Sequence, residues 1–266
     1  KIGVEILAND YGVEREKIHV VHHGIPNVPF MHNNVEMKKN FGLEENFVLS
    51  TFGLLSRGKG IEYVIKALPE LVKKYPNILY QIIGATHPVV KKEEGEKYRR
   101  YLIKLIEKLG LQDNVRFINK YLSYDELIEY ITASDVYMAT NLERNQITSG
   151  TLIEAMGYGG KAIIATKSIY AEEVLADGRG ITVDFKNPEE YAKAIERVIC
   201  NPEEKKEMER LAYAFSRQAI WSNVAFSYLK IFNNIVKLRK EMIEKFLAAH
   251  PDKRAARWLL HCARRT

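Results

Sequence analysis

Short apolar runs that alternate with longer amphipathic stretches are the feature that most constrains how this chain folds. Seven such runs occur, at residues 17–21, 47–52, 78–83, 115–118, 136–139, 162–165 and 180–183. They lack the alternation of apolar and polar positions that a half-exposed strand needs, so we expect both faces of each strand to be buried. Buried strands separated by helices predict an α/β fold with a doubly wound, Rossmann-like parallel sheet. Ligands bind beyond the carboxyl ends of its strands.

Helical patterns fill the stretches between these runs. Apolar residues recur with the helical period from residue 61 to 72, and an amphipathic stretch from 98 to 109 stops at Gly110. Ser123 and Glu126 form a capping-box pattern that opens another helix. From residue 203 onward the chain reads as helix, with an apolar face made of Trp221, Val224, Phe226, Leu229, Phe232 and Ile235.

The predicted elements divide the chain into three parts. Residues 1–200 form the Rossmann-like domain, residues 201–240 form C-terminal helices that pack on it, and residues 241–266 form a basic tail, either helical or disordered. The chain begins with Lys1 and not with methionine, so we expect a piece of a longer protein; no secretory signal pattern is present. No apolar run is long enough to span a bilayer, which favours a cytoplasmic protein.

Composition argues against several classes of function. The two cysteines, Cys200 and Cys262, have no CxxC spacing, which predicts free thiols in a reducing compartment and neither a zinc site nor a disulfide. Basic residues do not interleave with aromatic ones, so nucleic-acid binding is not expected. Weak contact with an anionic membrane surface is compatible with the net charge of +6. Much of that excess lies at Lys253, Arg254, Arg257, Arg264 and Arg265.

The segment from Gly53 to Gly60 joins a predicted strand to a predicted helix. Its glycines let the backbone approach a ligand, and Lys59 places a positive charge at the helix start. A cation is unfavourable at the N-terminus of a helix, which indicates that an anion binds between the lysine and the helix start. The spacing is not that of a Walker P-loop. A solvated glycine turn with an exposed lysine is the alternative interpretation.

A second anion-binding pattern opens at residue 146. Ser149, Gly150 and Thr151 provide small residues at a predicted helix start, where free N–H groups can bind phosphate. Helix capping alone would also explain the serine and threonine residues. Glu154 lies about two turns into this helix among apolar neighbours, so it is expected to be buried and to need a partner. Because a carboxylate can also bind sugar hydroxyls, the pattern predicts a site for a phosphorylated sugar compound.

Other candidates fall at the ends of predicted strands. Gly53, Gly84 and Tyr121 lie where ligands bind in a doubly wound sheet. His23 precedes Gly24 at the end of the first predicted strand, and a histidine that only forms the turn is the favoured interpretation there. No Ser/His/Asp order or metal-ligand cluster is apparent, so neither a metal nor an organic cofactor is expected.

Taken in order, these segments resemble the C-terminal half of retaining, nucleotide-sugar-dependent glycosyltransferases of the GT-B fold, often called group 1. The resemblance runs from about residue 18 to about residue 238. It rests on the segments 21–26, 53–60, 133–136, 146–154 and 176–180. Five segments in the correct order are far more specific than any one of them.

The resemblance implies a role for each candidate residue in holding a nucleotide-sugar donor. Lys59 would contact the diphosphate, and the backbone N–H groups of Ser149, Gly150 and Thr151 would cradle phosphate. Glu154 would bind the ribose as the second glutamate of a Glu-x7-Glu motif. Residues 119–122, which include Tyr121 and Leu122, would flank the nucleobase.

Two positions depart from the family pattern. The first glutamate of the motif, which contacts the donor sugar, is Gln146 here; glutamine still forms hydrogen bonds but carries no charge. We interpret it as a subtype of the family. The family's arginine falls on Leu54, and Arg57 is the candidate to replace it.

The resemblance also implies a reaction. A nucleoside diphosphate leaving group gains negative charge, which Lys59 and the helix N-terminus would stabilise without a metal, so Lys59 and Gln146 are the predicted catalytic residues. The acceptor site would belong to an N-terminal domain absent from this chain, which alone should bind donor and transfer little sugar. Two alternatives stay open: a sugar-nucleotide epimerase of the same fold, and a non-catalytic domain in which Gln146 and Leu54 mark lost chemistry.

Overall fold

The computed structural model describes residues 2–31 and 34–249, and its centre is a six-stranded parallel sheet. The strands are β1 (Phe47–Phe52), β2 (Ile78–Ile83), β3 (Val115–Ile118), β4 (Val136–Ala139), β5 (Ala162–Thr166) and β6 (Ile181–Val183). Their order across the sheet is β3-β2-β1-β4-β5-β6. The strand order reverses between β1 and β4, and a doubly wound sheet opens a crevice at such a point.

Helices flank the sheet and continue beyond it. Within the described residues they are α1 (Ile2–Asn9), α2 (Val35–Lys39), α3 (Ile61–Lys74), α4 (Pro88–Glu94), α5 (Lys97–Leu109), α6 (Tyr124–Thr132), α7 (Gly150–Gly157), α8 (Ile169–Val174), α9 (Pro188–Cys200), α10 (Pro202–Ser216) and α11 (Trp221–Ala249). Short 3-10 turns lie at Arg15–Lys17, Arg57–Lys59 and Arg217–Ala219.

Apolar side chains cover both faces of the sheet. On one face, Leu49 and Met138 pack with residues of α3, α5 and α9. On the other, Phe52 and Tyr137 pack with residues of α7 and α8. Burying a side chain of this size contributes about 1.5–3 kcal/mol, so the two layers supply much of the stability. The expected α/β fold with a doubly wound sheet is therefore confirmed.

Six of the seven predicted strands are present, and the prediction for residues 17–21 was wrong. Lys17 ends a 3-10 turn, and the residues that follow it form no strand. Val20 is 61% exposed. The physical reason is that β3 and β6 form the two edges of the sheet, and this apolar run pairs with neither, so its side chains gain no burial.

The predicted C-terminal helices differ in how they pack. On α10, Met208 and Ala212 are buried in the two core layers. On α11 only Val224 of the predicted apolar face is buried; the exposed members are Trp221, Phe226, Leu229, Phe232 and Ile235. The helix α11 also crosses the predicted boundary at residue 240.

The predicted basic tail falls mostly outside the described residues. These end at residue 249, so Cys262 and the terminal lysine and arginine cluster lie beyond them. Cys200 is an exposed free thiol. Among the described residues, no helix combines the length and apolarity needed to cross a membrane.

Candidate functional site

Two glycine loops meet at the carboxyl ends of β1 and β2. A Cβ atom on Gly84 would lie 2.2 Å from the carbonyl oxygen of Gly53, and both glycines have positive φ angles, 135° and 122°. Only glycine allows this approach without strain. The Gly53 N–H donates to Ile83 at 3.0 Å, and the Leu55 N–H donates to Ala85 at 2.9 Å. The pairing of β1 and β2 therefore continues into the loops and fixes one against the other.

Lys59 ends the first of these loops. Its Nζ atom lies 3.3 Å from the position of a Cβ on Gly53, so the ammonium group faces the junction of the loops. Gly60 follows with φ 61°, and a Cβ there would lie 2.6 Å from the carbonyl oxygen of Thr140. Burial lowers the pKa of Lys59. An anion beside this ammonium group would offset the cost of its burial.

The start of α7 faces the same junction. Ser149 is the N-cap, and its side chain accepts a hydrogen bond from the N–H of Leu152 at 3.3 Å. The Cγ2 atom of Thr151 lies 3.6 Å from the position of a Cβ on Gly53. The Nε2 atom of His23 lies 3.3 Å from the position of a Cβ on Gly150. The first turn of α7 thus presents backbone N–H groups beside a cation and a histidine.

Glu154 is buried, as its apolar neighbours predicted, and it has a partner. Glu154 is only 8% exposed, and the hydroxyl of Tyr124 donates a hydrogen bond to its Oε1 atom at 3.1 Å. Burial raises the pKa of Glu154, and the hydrogen bond from Tyr124 opposes that rise. Because α7 begins at Gly150, Glu154 lies just over one turn into the helix; the expected two turns were wrong.

These groups border a cavity of about 490 Å³ above the sheet. Seven of the predicted site residues line it, namely Gly53, Lys59, Gly84, Tyr121, Leu122, Thr151 and Glu154. Four others are not among its lining residues, namely Arg57, Gln146, Ser149 and Gly150. Ser149 and Gly150 belong to the same helix start as Thr151, so they stay next to the cavity.

Arg57 and Gln146 point to other partners. The Arg57 guanidinium lies 5.8 Å from the ring centroid of Tyr98, and its Nε atom is 3.5 Å from a carboxylate oxygen of Glu94. The Oε1 atom of Gln146 accepts a hydrogen bond from Asn141 at 3.2 Å. In this conformation neither side chain reaches the cavity, although each lies on a loop next to it.

One wall of the cavity is the loop between β3 and α6. The Ser123 side chain and backbone form the predicted capping box with Glu126, which also pairs with Lys120 at 2.6 Å. The hydrogen bond from Lys120, followed by those from Ser123, lowers the pKa of Glu126 to about 2. The loop is therefore fixed while Tyr121 stays 83% exposed at the rim. A flat aromatic ring in that position can stack on a planar ligand group.

Sequence reasoning missed two polar side chains that line the cavity, His87 and Tyr124. The Nδ1 atom of His87 accepts from the Val89 N–H at 3.2 Å and caps α4, so the proton of the neutral ring is on Nε2. A signal was present in each case. His87 precedes Pro88, a typical first helical residue, and Tyr124 directly follows the capping serine at the start of α6.

Comparison with known proteins decides the family. Residues 33–215, more than half of the chain, match the family model described as "Glycosyl transferases group 1". The chain belongs to this family. Spore coat protein SA of Bacillus subtilis (strain 168) is 27% identical over 205 residues, which cover 74% of this chain and 51% of that protein. A D-inositol 3-phosphate glycosyltransferase of Corynebacterium urealyticum is 24% identical over 195 residues, covering 73% and 44%.

Solved structures show the same fold. The crystal structure of Anabaena Alr3699/HepE in complex with UDP-glucose superposes with a TM-score of 0.71 at 21% identity, covering 86% of this chain and 60% of that one. The C-terminal domain of a group 1 glycosyl transferase, LpcC from Francisella tularensis, gives a TM-score of 0.64 at 20% identity, covering 73% and 97%. This group 1 chain therefore has the Rossmann-like architecture of one half of a GT-B fold. It spans about half the length of the curated relatives it matches.

Proposed function

We propose that this chain is the donor-binding half of a retaining glycosyltransferase that uses a nucleoside-diphosphate sugar. The observation that carries the proposal is the convergence of Lys59, the start of α7 and Glu154 on one cavity at the carboxyl ends of the strands. A cation and free N–H groups suit a diphosphate, and a buried carboxylate suits ribose hydroxyls. The UDP-glucose named for the Anabaena structure supports a donor of this class.

In the proposed complex the diphosphate lies between the two glycine loops and the first turn of α7. The N–H groups of Ser149, Gly150 and Thr151 and the ammonium of Lys59 hold its oxygens. Glu154 accepts from the ribose, while Tyr121 and Leu122 flank the nucleobase. Gly53 and Gly84 let the loop backbone approach the ligand, since a side chain at Gly84 would collide with the loop opposite.

The proposed chemistry is electrostatic. As the bond between sugar and diphosphate breaks, negative charge grows on the leaving group, and preorganised positive groups lower the barrier. Lys59 and α7 supply those groups from this chain. The amide of Gln146 now binds Asn141. To reach the donor sugar in this scheme, the loop that carries Gln146 must move this amide toward the cavity. We expect no metal ion or organic cofactor to be required, and turnover that survives a chelator would agree with this.

The proposed partner of this chain is an acceptor-binding domain. This chain matches only about half of each curated relative. In the described residues, α11 keeps an apolar face exposed, and Ile2 and Leu7 on α1 are exposed as well. Apolar surface of this extent favours a protein partner. We therefore expect sugar transfer only when that domain is present.

One observation favours a competing function. Gln146 replaces a glutamate of the family pattern, and its amide binds Asn141 outside the cavity. A non-catalytic domain that binds the donor would tolerate this arrangement. An epimerase of the same fold would need acid and base groups facing the sugar, and the cavity lining supplies Glu154 and His87 for such roles.

Incubation of the full-length protein with radiolabelled sugar nucleotides and candidate acceptors separates these functions. The proposal predicts a glycoside in which the anomeric configuration of the donor is retained. An epimerised sugar nucleotide would identify an epimerase. Unchanged donors together with measurable donor binding would identify a non-catalytic domain, and an inverted glycoside would contradict the retaining assignment.

A further inference from the structure

The first turn of α5 contacts the loop that carries Lys59. Tyr98 is 1% exposed, and its hydroxyl accepts a hydrogen bond from the Ile61 N–H at 3.2 Å. The same hydroxyl donates to the carboxylate of Glu62. Ile61 begins α3 directly after Gly60, which has no side chain to cap the helix. The phenol of Tyr98 therefore caps the start of α3 from a distant part of the chain, at a position two residues after Lys59.

The same turn also contacts the other glycine loop. The Nη2 atom of Arg99 donates to the carbonyl oxygen of Gly84 and to the hydroxyl of Thr86, both at 3.3 Å. Its Nε atom donates to Glu96 at 3.1 Å, and Thr86 donates to Glu96 as well. The hydrogen bond from Thr86, followed by that from Arg99, lowers the pKa of the partly exposed Glu96, so the carboxylate form is favoured. The loop after Gly84 and the start of α5 are thus joined by one network of charged and polar side chains.

Arg99 is a costly residue in this position. It is 6% exposed, and its Nη1 atom has no hydrogen-bond partner among the described residues. A buried guanidinium with an unpaired nitrogen destabilises a fold relative to an apolar side chain of similar volume. A need to hold the Gly84 loop in place would explain why Arg99 is present. Arg99 binds the backbone carbonyl of Gly84, and a substitution in the loop would not remove that carbonyl.

We infer that the first turn of α5 is a brace that sets the distance between Lys59 and Gly84, with Tyr98 and Arg99 as positioning residues for the diphosphate. Neither residue lines the cavity, so both act through the loops. The inference rests on the proposed function, because it assigns the diphosphate to the junction of those loops. It predicts that loosening the brace weakens the hold on phosphate and leaves the nucleoside contacts unchanged.

The chain offers a matched pair of variants for the test. Tyr98→Phe removes one hydroxyl and with it the cap on Ile61. Tyr191→Phe removes a hydroxyl that is equally buried but has no hydrogen-bond partner among the described residues. Both rings stay in the same core layer, so the two variants differ in the brace and not in the kind of side chain lost.

Calorimetric titration with UDP, GDP and ADP, and NMR titration with uridine, guanosine and adenosine, provide the measurement. For the nucleotide that the wild type binds best, we expect Tyr98→Phe to weaken diphosphate binding about three- to tenfold, because the variant loses the hydrogen bonds of this hydroxyl with Ile61 and Glu62. Nucleoside binding should stay as in the wild type, and Tyr191→Phe should change neither. Arg99→Met should weaken diphosphate binding in the same way, and Arg99→Lys should restore part of it.

The outcomes separate the two proposals. If Tyr98→Phe binds the diphosphate as the wild type does, or loses nucleoside affinity in equal proportion, the brace is rejected while the proposed function stands. If the wild type binds none of the three diphosphates, both are rejected. Circular dichroism and thermal midpoints establish that each variant is folded at the titration temperature. Should Tyr98→Phe not fold, the comparison of Arg99→Lys with Arg99→Met decides the matter.

Discussion

At the scale of single residues, the state of Glu154 is set by what surrounds it. Its apolar neighbours in the sequence indicated burial and a need for a partner, and the structure provides Tyr124 as that partner. The partner itself could not be predicted, because Tyr124 is 30 residues away in the chain and meets Glu154 only in the folded protein. Sequence patterns report local environment far better than pairs of this kind.

Tyr124→Phe tests this contact through the pH dependence of nucleotide binding. The hydrogen bond from Tyr124 lowers the pKa of Glu154 against the effect of burial, so its loss should raise that pKa. A protonated Glu154 accepts fewer hydrogen bonds from ribose, so affinity should fall as the pH is lowered through the pKa. We expect the variant to lose affinity at a higher pH than the wild type does. At the midpoint of the variant's pH curve, its affinity should be about two- to tenfold weaker than that of the wild type.

The measurement is a series of calorimetric titrations from pH 8 to pH 5. His23 also contributes to the electrostatics of Glu154, but it is present in wild type and variant alike. Tyr130→Phe, on the same helix with its ring packed against Phe41, is the control and should follow the wild-type curve. Identical curves for Tyr124→Phe and the wild type would show that the contact has no influence on Glu154.

At the scale of elements, the strands were predictable and the links between loops were not. β1 and β2 are mostly apolar and a glycine follows each of them, so their bounds could be predicted from the sequence. The run at 17–21 is also rich in apolar residues, but it pairs with neither edge strand of the sheet. Which runs pair depends on the topology of the fold and could not be predicted from a single run. The brace under the glycine loops joins residues 37 apart in the chain, Ile61 and Tyr98, and leaves no periodic pattern.

A second long-range network lies at the amino ends of the strands. Lys161 donates to the carbonyl oxygen of Thr132 at 2.9 Å, and Lys38 pairs with Asp135 at 2.6 Å. Burial is the main cause that lowers the pKa of Lys161 to about 8, and the nearby carboxylate of Glu209 opposes this shift only in part. This part of the sheet is far from the carboxyl ends that form the cavity, so we assign the network no role in ligand binding, and the buried charge of Lys161 is a cost to stability.

Lys161→Met should therefore stabilise the protein at neutral pH. The folded-state pKa of Lys161 is depressed below the unfolded value of 10.5, so its cost is complete below about pH 8 and fades as the pH rises toward 10.5. We expect a gain on the order of 1–3 kcal/mol at pH 7, with the difference from wild type narrowing by pH 10.

Urea unfolding at pH 7, 8.5 and 10 measures this difference in the free energy of unfolding. Lys206→Met, an exposed position on α10, is the control and should give no such gain. A difference between Lys161→Met and the wild type that stays constant across this range would show that proton release from Lys161 is not its source.

At the scale of the whole molecule, the chain has the architecture of one half of a GT-B fold, and the exposed face of α11 supports the proposed partner domain. The family pattern could be read from five ordered segments, and the fold followed from the strand runs. The exposed face of α11 could not be foreseen, because an amphipathic pattern predicts a buried face without naming what buries it. In the proposed function the acceptor binds to a separate domain, so its identity could not be predicted from these residues.

The central claim is that Lys59 and the start of α7 hold a nucleoside diphosphate, and calorimetric titration of Lys59→Ala tests it most directly. Lys104→Ala, an exposed lysine on α5, removes the same charge away from the cavity lining. For the diphosphate among UDP, GDP and ADP that binds best, we expect Lys59→Ala to weaken binding about ten- to a hundredfold and Lys104→Ala to leave it unchanged. Equal affinity of Lys59→Ala and the wild type would contradict the assignment of the site.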